Sequence, residues 1–145
     1  MRISRVTATI SATLLLVAGF AAGNAFGTRT ALAQAPRVFE LRTYTAPEGK
    51  LADLHARFRN HTLRIFEKHG MTNVVYLKPL DAPLADNTLI YLIAHKSREA
   101  AKASWSAFGK DPEWQKVAQE SQVNGKIVAR VESVFMNATD YSPIK

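Results

Sequence analysis

The chain has no cysteine among its 145 residues. Disulfides, thiol nucleophiles and cysteine-ligated metals are excluded together, so the domain has to be held by its core alone. Long runs of one charge are missing too. Basic and acidic residues interleave and no nucleic-acid motif occurs, so the formal charge of +7 does not describe a nucleic-acid-binding surface. Three of the 19 Lys and Arg and none of the 12 Asp and Glu fall in residues 1–33, which leaves 16 against 12, a charge of +4, for the remainder. The histidines show no HExxH spacing, and His55 and His69 on one helix would lie about 20 Å apart at ~1.5 Å per residue. No metal or other cofactor is expected. Ser104, Ser106, Ser121 and Ser133 lack the GxSxG spacing of a nucleophile elbow, which argues against a serine hydrolase.

Long apolar runs are equally scarce. The most conspicuous, residues 8–22 (ATISATLLLVAGFAA), is shorter than the ~20 residues of a spanning helix. It follows Arg2 and Arg5 and precedes Ala31-Leu32-Ala33, the order of charged, apolar and small residues found in a Sec-type export signal. The two arginines are not adjacent, so a twin-arginine signal is not expected. Cleavage after Ala33 or Ala35 would deliver residues 34–145 as one domain to the periplasm or the medium. Left uncleaved, the segment would anchor the protein, its one expected route to a membrane. A domain this small buries a limited share of its surface, and dimerisation would supply the rest.

The remaining pattern alternates between periods of two and of 3.6. Arg37–Thr45 reads as a strand. Leu51, Leu54, Phe58, His61 and Ile65 recur at helical spacing, in a helix that stops at Gly70. Thr72–Lys78 and Thr88–His95 read as strands separated by a Pro- and Asp-containing loop, the second apolar on both faces and therefore internal. Ser97–Phe108 and Pro112–Gln122 are one helical region interrupted at Gly109-Lys110 and restarted by the Asp111-Pro112 cap. Lys126–Met136 is the last strand. The order β-α-β-β-α-β, with a broken second helix, predicts an α+β, ferredoxin-like sandwich with both helical regions on one sheet face. The bare face predicts a partner.

Three stretches, FELRTYTAPEGKLADLHARFRNHTLRIFEKHGM, SWSAFGKDPEWQKV and RVESVFMNATDYSPI, resemble the NIPSNAP domain in spacing and order over nearly the whole of residues 34–145. The resemblance implies a dimeric α+β barrel, in which two sheets face each other across a two-fold axis. Relatives in that superfamily include small-molecule monooxygenases and haem-degrading enzymes, and a pocket between helices and sheet is common among them. It implies no agreed catalytic mechanism, so function has to be argued from the site.

Two groups of residues stand out. His61, on the stripe expected to face the sheet, is the candidate proton carrier; with Phe58, Trp105, Phe108 and Trp114 it would line a pocket for a small apolar or aromatic ligand, though aromatics at this spacing also suit a core. Glu40, Arg42 and Tyr44 share one face of the first strand. They are expected to meet Arg130 and Glu132 of the last strand as an ion network at the dimer seam. Three functions fit these residues: a homodimeric small-molecule-binding module, a cofactor-independent oxygenase or isomerase, and a scaffolding dimer.

Overall fold

The computed structural model describes residues 37–145; the expected export signal and both expected cleavage positions lie outside the described residues. Eight residues of alternating character, Val38–Thr45, form β1. They are followed by α1 (Leu51–Arg57), a π-helical turn (Phe58–Thr62) and α2 (Leu63–Lys68). Next come β2 (Thr72–Leu77), a single helical turn α3 (Leu84–Asn87), β3 (Thr88–His95), α4 (Arg98–Lys110), α5 (Pro112–Glu120) and β4 (Arg130–Asn137). The sheet has the order β2-β3-β1-β4, and every neighbouring pair is antiparallel, as the split β-α-β arrangement requires. Among the described residues no helix is long and apolar enough to cross a membrane.

The element ends follow from local chemistry. The Ser97 hydroxyl accepts the Ala100 N–H at 3.1 Å and caps α4. Gly70, at φ +76°, closes α2 as glycine does where a left-handed residue is needed: its N–H donates to the Glu67 carbonyl at 2.9 Å, and the Met71 N–H to the Phe66 carbonyl at 3.0 Å. This paired closure also folds Met71 back onto the core beside Phe66. The helical region expected to break at Gly109-Lys110 instead runs through Lys110. It breaks only at Asp111, whose extended backbone ends α4 while its side chain accepts the Glu113 N–H at 2.8 Å to start α5. The second Asp111 oxygen accepts from Lys68 at 2.8 Å and His69 at 2.7 Å, tying the end of α2 to the start of α5.

The first helix departs from a single 3.6-residue repeat. The π turn at Phe58–Thr62 widens the spiral by a residue, so the inward position one turn after Phe58 falls on Thr62 rather than on His61. Thr62 is buried, with its hydroxyl donating to the Arg57 carbonyl at 3.3 Å, and His61 is exposed. Leu54, Ile65 and Phe66 are essentially inaccessible, each contributing about 1.5–3 kcal/mol of burial.

The faces of β1 are the reverse of the expected ones. Tyr44 packs on Phe58 of the helical layer at 5.7 Å between ring centroids, and Trp105 of α4 donates to Glu40, so Glu40, Arg42 and Tyr44 lie under the helices. Phe39, Leu41 and Thr43 take the outer face. Register completes the correction. Arg42 pairs with Ser133, whereas Glu132 and Arg130 stand opposite Thr43 and Thr45, and directly opposed residues share a face. Glu132 and Arg130 therefore bond each other on the exposed outer surface, separated by the sheet from the pair they were expected to join. Across that outer face Val75, Leu92, Leu41 and Val134 form one row through all four strands, and Val134 is 55% exposed.

Candidate functional site

A carboxylate with only 1% of its surface exposed, Glu40, sits between the sheet and α4. An ionised group so placed must be compensated. Strand alternation points it at the helices, and four donors converge on it. Arg42 Nη1 and Ser133 Oγ donate to Oε1, each at 2.7 Å. Trp105 Nε1 donates to Oε2 at 2.7 Å, and His95 Nε2 lies 3.0 Å from the same oxygen. A carboxylate only accepts, so His95 carries its proton on Nε2. Burial by itself pushes the Glu40 carboxyl up, but the hydrogen bonds from His95, Ser133, Trp105 and Arg42 together outweigh it and hold the group at about 2.

Arg42 extends the cluster along the layer. Its guanidinium stacks over the Trp105 ring at 4.2 Å and lies 5.5 Å from the Tyr44 ring centroid. Tyr44, Tyr76 and Tyr91 then continue inward, with Tyr76 and Tyr91 stacked at 5.3 Å. Burial pushes the Tyr91 hydroxyl well above the ordinary phenol range, so it is a neutral donor at any physiological pH. Three of the five buried side-chain N and O atoms without a hydrogen-bond partner among the described residues belong to this layer: Arg42 Nε, Tyr91 Oη and His95 Nδ1. Each such atom costs roughly 1–3 kcal/mol in lost hydration. The cluster reaches the surface beside β4, where Ser133 and Val131 on the helix-side face are exposed.

Chemically, this arrangement is an anchored anion with a stacked cation. The serine and the histidine both approach the carboxylate rather than each other, so no serine–histidine nucleophile is assembled. A carboxyl held at about 2 is also a weak base near neutral pH. What it can do is fix the orientation of Trp105, Arg42 and Ser133. The polarised aromatic surface this creates suits binding.

The pocket expected at Phe58, His61, Trp105, Phe108 and Trp114 divides. Phe108 packs on Trp114 at 4.3 Å and edge-to-face on Trp105 at 5.6 Å, and Phe66 bridges Trp105 to Phe58 at 5.4 and 6.2 Å. These rings fill one another's space as core. His61 is not among them; it lies on the rim of a separate groove between the first helix and α5. Sequence reasoning missed His95 and Ser133 as partners of Glu40. The usable signal was the glutamate itself, an acid between two apolar strand positions, which needs donors wherever the alternate face is covered. Among the described residues no group of three or more His, Asp or Glu side chains is placed to hold a metal ion.

Strand order and helical layer together define a ferredoxin-like α+β domain. The NIPSNAP family profile matches residues 39–143, and the chain belongs to that family. Among solved structures, it is similar to a NIPSNAP family protein of unknown function from Agrobacterium tumefaciens, at 18% identity and a TM-score of 0.66 over 77% of this chain and 96% of that one. It is similar also to an uncharacterized NIPSNAP-like domain protein from Burkholderia xenovorans, at 17% identity and a TM-score of 0.64 over 74% and 89%. A third likeness is to SnoaB, a cofactor-independent oxygenase from Streptomyces nogalater, at 15% identity and a TM-score of 0.52 over 75% and 99%. At these identities the likeness is one of fold. No functionally curated protein matches the chain.

Proposed function

We propose that this NIPSNAP domain is an exported homodimer that binds a small aromatic molecule on the surface between α4 and β4, with Trp105 and Arg42 as the stacking surface and Ser133 at its edge. The observation that carries the reading is the group of unpartnered buried polar atoms, Arg42 Nε, Tyr91 Oη and His95 Nδ1, on one layer next to a cluster that reaches solvent through Ser133. A ligand bearing a hydrogen-bonding oxygen on an aromatic ring would match that surface in both respects. Export is supported by the residue pattern of positions 1–33, and dimerisation by the apolar row Val75, Leu92, Leu41 and Val134.

The oxygenase-like fold of SnoaB motivates the competing catalytic reading. In this chain the expected proton carrier, His61, is exposed, and the buried carboxylate is too weak a base, so the site supports binding better than acid–base chemistry. A thermal-shift and tryptophan-fluorescence screen of small phenols and hydroxylated polycyclic aromatics tests the proposal. Binders are expected to quench Trp105 and to lose at least about tenfold in affinity when Ser133→Trp covers that surface. No binder in the panel, or binding unchanged by Ser133→Trp, would overturn it.

A further inference from the structure

Among the described residues, Arg57 is the one buried arginine that Glu40 does not serve. It is 7% exposed, and its guanidinium makes no ion pair or side-chain hydrogen bond among the described residues; its Nε is fully buried without a partner. Trp114, 5.2 Å from the guanidinium carbon, offers a π face but no acceptor oxygen. Stacking of this kind contributes about 0.5–2 kcal/mol, less than the several kcal/mol that burying an uncompensated cation costs. Burial accordingly pulls the guanidinium below its ordinary range.

This cation lies in the wall of the groove between the first helix and α5, a space of about 320 Å³ that also takes in Asn60, His61 and Asn124. Ala56 and Val117 supply apolar wall. The two acids at the groove, Asp53 and Glu120, do not approach Arg57 within ion-pair distance; each is paired instead with a lysine of its own helix or helix cap, Lys50 at 3.3 Å and Lys116 at 3.9 Å. The groove thus has a cation set into its wall without a counter-charge among the described residues, amide and imidazole groups around it, and negative charge at its edge.

We infer that this groove is a binding site for a small organic monocarboxylate, whose two oxygens take the fork of Arg57 while its apolar part lies against Ala56 and Val117. The planar guanidinium matches a carboxylate in bidentate geometry. A single arginine beside Asp53 and Glu120 disfavours a phosphate dianion, which would meet like charge at the edge. The volume is at the lower end for small-molecule sites, so the ligand is the size of a substituted benzoate or an amino acid. Asn60, His61 and Asn124 are then the groups that select among such acids, which gives His61 a part in recognition on the surface. The site is separate from the α4–β4 surface, and the two readings fail independently.

The test uses protein expressed from the full chain, with benzoate as the probe, neutral benzamide as its isostere and inorganic phosphate as the competing anion, followed by amide NMR and thermal shift. Benzoate is expected to give saturable shifts at Asn60, His61 and Asn124 at millimolar concentration, with benzamide and phosphate at least about tenfold weaker. Ala56→Trp, which fills the groove but keeps Arg57, should abolish the response, and Ser133→Trp should leave it intact. Arg57→Gln should abolish it as well, with circular dichroism checking that the variant folds. Absence of a saturable benzoate response, an equal response to benzamide or phosphate, or a full response in Ala56→Trp would overturn the assignment.

Discussion

Glu40→Ala will lower the stability of the domain by about 3–5 kcal/mol, the range found when one partner of a buried charge pair is removed. The substitution leaves Arg42 without a counter-ion and takes the acceptor from Trp105, His95 and Ser133 at once. Glu40→Gln keeps the shape but offers only one acceptor oxygen in place of two, and its cost should fall between zero and that of alanine. In the double variant Glu40→Ala/Arg42→Ala the loss should be smaller than the sum of the single losses, because neither charge is then stranded. Urea unfolding of the four proteins near neutral pH measures this.

The same carboxylate sets an acid limit. Its folded value of about 2 lies below the 4.5 of the free side chain, so the unfolded chain takes up the proton first as pH falls. Its contribution is complete above about 4.5 and is lost progressively toward about 2. The difference corresponds to roughly 3 kcal/mol at ~1.36 kcal/mol for each unit. Asp111, held low by Lys68 first and then His69, loses stability in the same direction. The informative quantity is therefore wild type minus Glu40→Gln, which should shrink between about pH 5 and pH 3 in the same urea experiment.

Leu92→Glu is expected to separate the proposed dimer, weakening self-association by at least about a hundredfold. Leu92 lies in the middle of the outer row, between Val75 and Leu41, and a two-fold axis would bury the new charge twice. Leu77 and Val134, 51% and 55% exposed, extend the apolar surface on either side, and an exposed apolar patch is the usual mark of an interaction surface. Arg42→Ala, beneath the helices, should leave assembly intact and lower stability instead. Sedimentation velocity at micromolar concentration distinguishes the cases, and a wild-type monomer there would remove the dimer from the account.

Much of this architecture is legible in the residues. Period-two and period-3.6 stretches place the four strands and the main helices, and the Asp111-Pro112 cap and Gly70 stop mark real ends. The faces of β1 are not legible, because alternation sorts side chains into two sets without saying which is covered. Charge suggests that Glu40 and Arg42 turn outward; in the fold they neutralise each other inside, while Leu41 occupies the face left for a partner. His61 misleads for a different reason. A 3.6-residue repeat extrapolated across Phe58–Thr62 cannot register the π turn, and one residue of slip is enough to carry a side chain from core to solvent. The pairing of β4 depends on the irregular stretch after Gly125, and no periodicity fixes which of its residues meets Arg42.

The central claim is that the Glu40 face of β1 is interior and organised around that carboxylate. With only two tryptophans in the chain, two indole N–H signals report on it. The account predicts that the Trp105 indole proton, donating to Glu40 at 2.7 Å, is shifted downfield and slow to exchange, titrates only near about 2 with Glu40, and loses that shift in Glu40→Gln. A Trp105 indole proton that exchanges freely with water and is indifferent to Glu40→Gln would contradict it.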